Sequence, residues 1–235
     1  MTGNAIVTGA SSGIGREAAK QLAQEGWKVL AVARRENRLK ALEQENSNIV
    51  AHVADITVAG APEAVMAAAA EKLGGLDLLV NNAGTSWITT VADMPVEKLD
   101  QIYNLNVRAL ILMCQKAIPL LEKSEKAQII NVASVAGHLP MATLAAYCSS
   151  KAAAIMFSRV LAKELTERKI RVNVLNPCGT DTEIFEVAGG NAPTEEARKG
   201  MVSAADMGRM VVELTQLPAG LDIGEVAVHR RLNPY

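Results

Sequence analysis

The stretch Ala5-Ile6-Val7-Thr8-Gly9-Ala10-Ser11-Ser12-Gly13-Ile14-Gly15 decides how the rest of the chain is read: an apolar run, a turn with three glycines, then a helical pattern. Without a Cβ, Gly9 permits a tight turn, Gly13 lets the backbone approach an anionic group such as a pyrophosphate, and Gly15 lets a helix pack closely on a strand. A helix beginning there would turn its unpaired N–H groups and the positive end of its dipole toward that anion. Phosphate binding is the use this predicts, and tight packing alone is the competing one. The spacing is not the commoner G-x-G-x-x-G, so the remainder of the chain has to separate the two.

Moving outward, Ile14, Ala18 and Leu22 fall on one face of a helix that Gly26 would stop. Apolar, β-rich runs recur at residues 5–8, 29–33, 49–53, 76–80, 129–132, 172–175 and 226–228, with helical patterns between them. Repeated strand–helix–strand units require right-handed crossovers and parallel pairing. The expected fold class is therefore α/β: one doubly wound, Rossmann-type domain over residues 1–235, with about seven parallel strands and helices on both faces. Residues 182–203 break the rhythm, with Gly189, Gly190, Asn191 and Pro193 clustered before a final helix near residues 204–216. They are expected to form a substrate lid.

The composition agrees with that class. Of the 235 residues 49% are hydrophobic but only 3% aromatic, so the interior must be built from Ala, Val, Leu, Ile and Met. A net charge of −1, with both signs mixed along the chain, offers no field for nucleic acid or an anionic membrane. Cys114, Cys148 and Cys178 are odd in number and include no CxxC pair, which predicts neither a disulfide framework nor a zinc site and suits a reducing cytoplasm. The chain begins in a strand pattern without a basic leader, and no apolar run approaches about 18 residues, so neither secretion nor membrane spanning is expected. No His, Cys or carboxylate cluster has metal-ligand spacing.

The motifs that follow the glycine turn keep a fixed order. Asp55 and Ile56 come after the third strand pattern, Asn81-Asn82-Ala83-Gly84 after the fourth, Asn106 in the next helix, Ser134 after the fifth strand, then Tyr147-x-x-x-Lys151, and Asn176-Pro177 after the sixth. In this series the chain resembles the short-chain dehydrogenase/reductase family along nearly its whole length. The resemblance implies an oxidoreductase that moves a hydride between a nicotinamide cofactor and a carbonyl or secondary alcohol. It implies catalytic roles for Asn106, Ser134, Tyr147 and Lys151. Cofactor contacts are implied from Gly9, Ser11, Ser12, Gly13, Ile14, Gly15, Asp55, Ile56, Asn82, Ala83, Gly84, Tyr147, Lys151, Pro177, Gly179 and Thr182. Asp55 is also a good helix-starting residue, and that use stays open beside an adenine contact.

The choice of cofactor turns on the end of the second strand. In an NAD enzyme an acidic residue there accepts hydrogen bonds from the ribose hydroxyls. Here the position is Ala33, followed by Arg34 and Arg35. The guanidinium of Arg34, immediately after that position, can pair bidentately with the 2′-phosphate that a carboxylate would repel, so NADP(H) is the expected cofactor. Solvation of a helix start is the plainer use of an Arg-Arg pair.

Tyr147 and Lys151 lie in residues 142–164, a segment with no Pro or Gly, and share a helix face. The phenol of tyrosine titrates near pH 10, so a neighbouring ammonium that favours the phenolate is useful chemistry. By the resemblance, Lys151 also bonds the nicotinamide ribose, Ser134 bonds the substrate oxygen, and Asn106 helps hold a water chain that resupplies the proton. Each residue taken singly has an ordinary structural use; the combination carries the reading.

One departure stands out. The family's Pro-Gly becomes Pro177-Cys178-Gly179, so Gly179 is expected to absorb a positive φ in place of Cys178, which is expected to be a small, unreactive thiol. Trp87, His138, Met141 and Phe185 are possible substrate contacts, each more commonly a packing residue. Alanine-rich helices around residues 105–121 and 145–165 would expose apolar faces, and with the resemblance this points to a homodimer or homotetramer. The C-terminal residues 230–235 read as a short tail. The expected substrate is a small polar hydroxy compound, 3-hydroxy acids included. The rival reading is an NADP-binding sensor or scaffold without turnover.

Overall fold

Each core strand is buried on both faces, which is why the strands read as near-continuous apolar runs. In the computed structural model, which describes residues 2–189, 193–218 and 220–230, the described strands are β1 (Asn4–Thr8), β2 (Lys28–Ala33), β3 (Ile49–Val53), β4 (Leu78–Asn81), β5 (Gln128–Val132), β6 (Arg171–Pro177), β7 (Thr180–Asp181), β8 (Val202–Ser203) and β9 (Glu225–Val228). Gly190, Asn191 and the tail beyond Arg230 lie outside the described residues. Seven strands form one parallel sheet in the order β3-β2-β1-β4-β5-β6-β9, while β7 and β8 make a separate parallel pair. This is the doubly wound Rossmann-type arrangement.

Successive side chains serve opposite faces. Ile6, Leu30, Leu79 and Ile129 pack beneath α3 (Ala61–Leu73), α5 (Leu110–Leu121) and α6 (Ala145–Leu165). Ala5, Val7, Val29, Leu78 and Val80 pack against α1 (Gly13–Gln24), α2 (Glu36–Glu45) and α9 (Ala204–Thr215). Ile6, Leu79 and Ile129 are fully buried, and each contributes about 1.5–3 kcal/mol by leaving water. Gly26, at φ +88°, follows α1 as the sequence predicts.

Three expectations change. The fourth strand starts at Leu78 and not at residue 76, because Gly74 and Gly75 hold φ of +89° and +153° and delay the ladder. The helix expected around residues 105–121 continues from α4 (Val96–Tyr103) through a π-helical turn, Asn104–Ala109, into α5. Residues 182–203 are not irregular throughout: α7 (Ile184–Val187) and α8 (Glu195–Lys199) lie between the strands β7 and β8.

Candidate active site

From β1 the chain winds outward through β2 and β3 and then returns to β4 on the other side of β1, opening a crevice at the carboxyl ends of the central strands. The glycine turn follows β1, Asn82-Ala83-Gly84 follows β4, Ser134 follows β5, and Pro177 ends β6. Gly9 and Gly13 adopt φ of +69° and +53°, the region that L side chains avoid. A Cβ on Gly9 would fall 2.9 Å from Ala83 Cα, and one on Gly15 would fall 2.6 Å from the Gly9 carbonyl oxygen. Thr8 locks the two loops together. Its Oγ1 accepts from the backbone N–H of Asn82 (3.0 Å) and of Ala83 (3.1 Å), while Asn82 Nδ2 donates to the Thr8 carbonyl at 3.0 Å. Ile14 packs against the core at the start of α1, whose first turn carries no acidic residue to compete with an anion.

At the outer end of the crevice Arg34 is 75% exposed, with Nη1 3.8 Å from Asp55 Oδ2. Asp55 Oδ1 accepts from the backbone N–H of Thr57 (3.0 Å) and from its hydroxyl (2.7 Å). Burial pushes the Asp55 carboxyl up, but the Thr57 bonds and Arg34 outweigh it and hold the group below the usual carboxylate range. Ile56 is buried in the core behind it. Arg35 turns inward, donating from Nε to Ser11 Oγ at 3.0 Å and from Nη2 to Ser12 Oγ at 2.6 Å. Its Nη1 reaches Glu183 Oε2 at 2.7 Å, and Arg38 Nη1 reaches Glu183 Oε1 at 2.5 Å. Hydrogen bonds from Arg35 and Arg38 hold the Glu183 carboxyl low. Sequence reasoning did not find Arg38 or Glu183. The available signal was Arg38 one helical turn beyond Arg35.

At the inner end Ser134 caps a short 3₁₀ turn, Val135–Gly137: its Oγ accepts from Ala136 N–H at 3.1 Å and donates to the Pro177 carbonyl at 3.4 Å. Tyr147 is half-buried in the first turn of α6, on the side of the crevice that carries Ser134. Lys151 lies one turn on and is 5% exposed, with Nζ donating to the Val132 carbonyl at 3.0 Å and 5.8 Å from the centre of the Tyr147 ring. Burial pushes the Tyr147 phenol up to about 12, with the Ser134 hydroxyl opposing it, and burial brings the Lys151 ammonium down to about 8. The sequence led us to expect the ammonium to draw the phenol down. In this crevice desolvation by burial is the larger effect on both groups.

Asn106 sits in the π turn, where one extra residue per turn changes the face a side chain presents. Both its amide hydrogens are used, one on the Thr85 carbonyl (2.9 Å) and one on Ser150 Oγ (3.0 Å), and its Oδ1 accepts from Thr85 N–H at 2.9 Å. Ser150 in turn donates to the Tyr147 carbonyl at 2.7 Å. Asn106 thus fastens the loop after β4 to the helix that carries Tyr147 and Lys151. A Cβ on Gly84 would be in ordinary contact with Asn106 Oδ1 (3.4 Å) and Lys151 Nζ (3.5 Å), which places Gly84 beside both groups.

The loop after β6 corrects a prediction: neither Cys178 nor Gly179 has a positive φ. Gly179 lies under Arg230, whose Nη2 would come within 2.8 Å of a Cβ there, a contact that the flexible guanidinium can give up by moving aside. Cys178 is half-buried and its N–H donates to the Val228 carbonyl at 3.0 Å. Thr182 covers the glycine turn, its Cγ2 lying 3.0 Å from where a Gly13 Cβ would be. His138 turns toward Glu225, Nε2 to Oε1 at 2.5 Å, and Trp87 packs against Gly189 and under Lys98. Met141 is exposed and Phe185 half-buried. Among the described residues no group of three His, Cys, Asp or Glu is placed to hold a metal ion, and no helix is long and apolar enough to cross a membrane.

A glycine turn of this geometry on a doubly wound sheet, with Ser134, Tyr147 and Lys151 gathered along the same crevice, defines an oxidoreductase of the nucleotide-binding Rossmann class. A family model described as short chain dehydrogenase matches residues 3–191, and the chain belongs to the short-chain dehydrogenase/reductase family. The serine 3-dehydrogenase of Agrobacterium fabrum is 30% identical over 232 residues, covering 96% of this chain and 93% of that protein. The closed form of a serine dehydrogenase complexed with NADP+ superimposes with a TM-score of 0.89 at 28% identity, covering 96% and 94% of the two chains. A 3-ketoacyl-(acyl-carrier-protein) reductase from Brucella melitensis complexed with NADH gives 0.87 at 30% identity and 95% of each.

Proposed function

We propose that the chain is an NADP(H)-dependent carbonyl reductase or alcohol dehydrogenase acting on a small polar substrate, 3-hydroxy acids and their oxo forms foremost. The observation that carries this is the convergence of Ser134, Tyr147 and Lys151 on the crevice that the glycine turn opens. The residues suit the cofactor: Gly9 and Gly13 leave the turn bare, Arg34 and Arg35 replace the acidic residue absent at Ala33, and buried Lys151 has donors to spare beyond its bond to Val132. When bound, NADP(H) supplies or accepts the hydride. Asp55, Ile56 and Asn82 to Gly84 would flank the adenosine side, and Pro177, Gly179 and Thr182 the nicotinamide side.

Tyr147, protonated throughout the neutral range, gives its proton to the substrate oxygen in reduction. Ser134 donates to the same oxygen and holds the carbonyl within reach. Lys151 positions the cofactor ribose and places positive charge beside the phenol as the proton leaves. Asn106 keeps the Tyr147 helix in register with the loop after β4. Residues 182–203 act as a lid over a single catalytic domain. Apolar side chains of Leu99, Tyr103, Met156 and Val160 remain exposed on α4 and α6, which supports a homodimer or homotetramer, and the cysteine usage supports a cytoplasmic setting.

The serine 3-dehydrogenase relative and the NADP+-bound neighbour support the substrate class and the cofactor; the NADH-bound neighbour keeps the cofactor open to test. The test is steady-state turnover of aldehydes, ketones and 3-oxo acids with NADPH and with NADH. Turnover with kcat/KM higher for NADPH is expected. Tight NADPH binding with no turnover of any carbonyl would establish the sensor instead.

A further inference from the structure

Glu183 stands at the outer mouth of the crevice, gripped by two guanidiniums. Arg35 Nη1 donates to one carboxylate oxygen at 2.7 Å and Arg38 Nη1 to the other at 2.5 Å. Through Nε and Nη2 the same Arg35 holds Ser11 and Ser12, so one side chain joins the glycine-rich turn to the carboxylate. Two guanidiniums around a pair of anionic oxygens is also the coordination a phosphate monoester takes. The arrangement spans the chain, for Glu183 lies 148 residues beyond Arg35 in sequence. It is also set against a built cavity: a cleft of about 460 Å³ lies between the turn and the segment after β7, lined in part by Ser11, Gly13, Arg38, Thr182 and Glu183. The segment that carries Glu183 is braced by Arg198 of α8, which bonds Asp181 and reaches Glu186 at 3.3 Å. Glu183 is thus presented to the arginines by a structured element.

We propose that Glu183 is an internal surrogate for the cofactor's 2′-phosphate, occupying Arg35 and Arg38 until a phosphate displaces it, and so acts as a determinant of cofactor affinity and specificity. This rests on the NADP(H) reading above. A carboxylate and a phosphate cannot share the two guanidiniums without like-charge repulsion, so binding of the one costs the contacts of the other. A cofactor without the 2′-phosphate has nothing to exchange and leaves Glu183 in place.

Calorimetric titration of the full chain with adenosine 2′-monophosphate, adenosine 5′-monophosphate, NADP+ and NAD+ tests this. Glu183→Gln is expected to bind the two 2′-phosphorylated ligands about fivefold more tightly, the worth of one partly exposed ion pair, with the other two changed by less than about twofold. Adding Arg38→Ala should shrink that gain, because the competitor then has less to compete for. Unchanged or weaker binding of adenosine 2′-monophosphate by Glu183→Gln overturns the proposal, as does an equal gain for both nucleotide isomers. The wild-type ratio of NAD+ to NADP+ affinities tests the cofactor reading by itself: a ratio near one removes that reading and this proposal's ligand with it.

Discussion

At the outer end of the crevice Arg35 and Arg38 are about two-fifths exposed and share the carboxylate of Glu183, whereas at the inner end Lys151 is 5% exposed and, among the described residues, has no carboxylate partner. The outer cations are satisfied, hydrated and cheap to hold. The inner cation has been taken out of water with one backbone carbonyl to receive it, and its affinity for the proton has fallen accordingly. The first arrangement suits exchange of one anion for another. The second suits a site where charge is needed only when a ligand arrives, at a standing cost to the fold.

Replacing Lys151 sharpens that contrast most. Lys151→Met is expected to lower kcat for carbonyl reduction by about 10³-fold, the range of a positioned proton-transfer centre losing its activator. The same change should stabilise the chain at pH 7. The folded-state value near 8 lies below that of a free lysine, about 10.5, so the charged form is disfavoured in the fold: the cost is present in full below pH 8 and fades as the pH rises toward 10.5. After allowing for the lost Val132 bond, a gain of about 2 kcal/mol, or about 5 °C in Tm, is expected at pH 7 and none near pH 10.5. Equal melting at both pH values would break the comparison.

The pH profile asks the same question without a substitution. Because kcat/KM for NADPH reports groups of the cofactor-free protein, it should bend downward above about pH 8 and approach a tenfold fall per pH unit as Lys151 loses its proton. A flat profile from pH 7 to about 10 would show that the lysine keeps its charge despite burial.

At the outer end the effects should be smaller and selective. Arg35→Ala removes the contacts to Ser11, Ser12 and Glu183 together, and KM for NADPH should rise about tenfold while that for NADH changes by less than about twofold. Arg34→Ala should raise KM for NADPH by only about two- to threefold, since the side chain is 75% exposed. The reverse ranking, or equal effects on both cofactors, would return the phosphate contact to Arg34 or abolish it.

The difference between the two ends also separates what the sequence discloses from what it hides. The seven strands of the main sheet, the glycine turn and the Tyr147–Lys151 spacing are legible because each is a local pattern of period, turn or helix face. Ser134 is legible from its place after an apolar run. The π turn at Asn104–Ala109 is not, because it is an accommodation to packing around Asn106 and not a residue preference. The Glu183 contact joins residues too far apart for any pattern to link. Gly179 was misread for a related reason: a glycine in a loop is visible in sequence, but the φ it adopts is set by how the folded loop runs, and at Gly179 it is not positive. The opposed shifts of Tyr147 and Lys151 depend on how dry the crevice is, which the chain expresses only once folded.

The central claim is that Tyr147 is the proton donor of a working NADP(H) reductase, and single-turnover oxidation of bound NADPH by a saturating carbonyl substrate tests it most directly. Tyr147→Phe keeps the ring and its packing while removing the hydroxyl. The account predicts that the variant binds NADPH within about twofold of wild type and transfers hydride at least about 10²-fold more slowly. Wild-type rates of NADPH oxidation in the variant would contradict it.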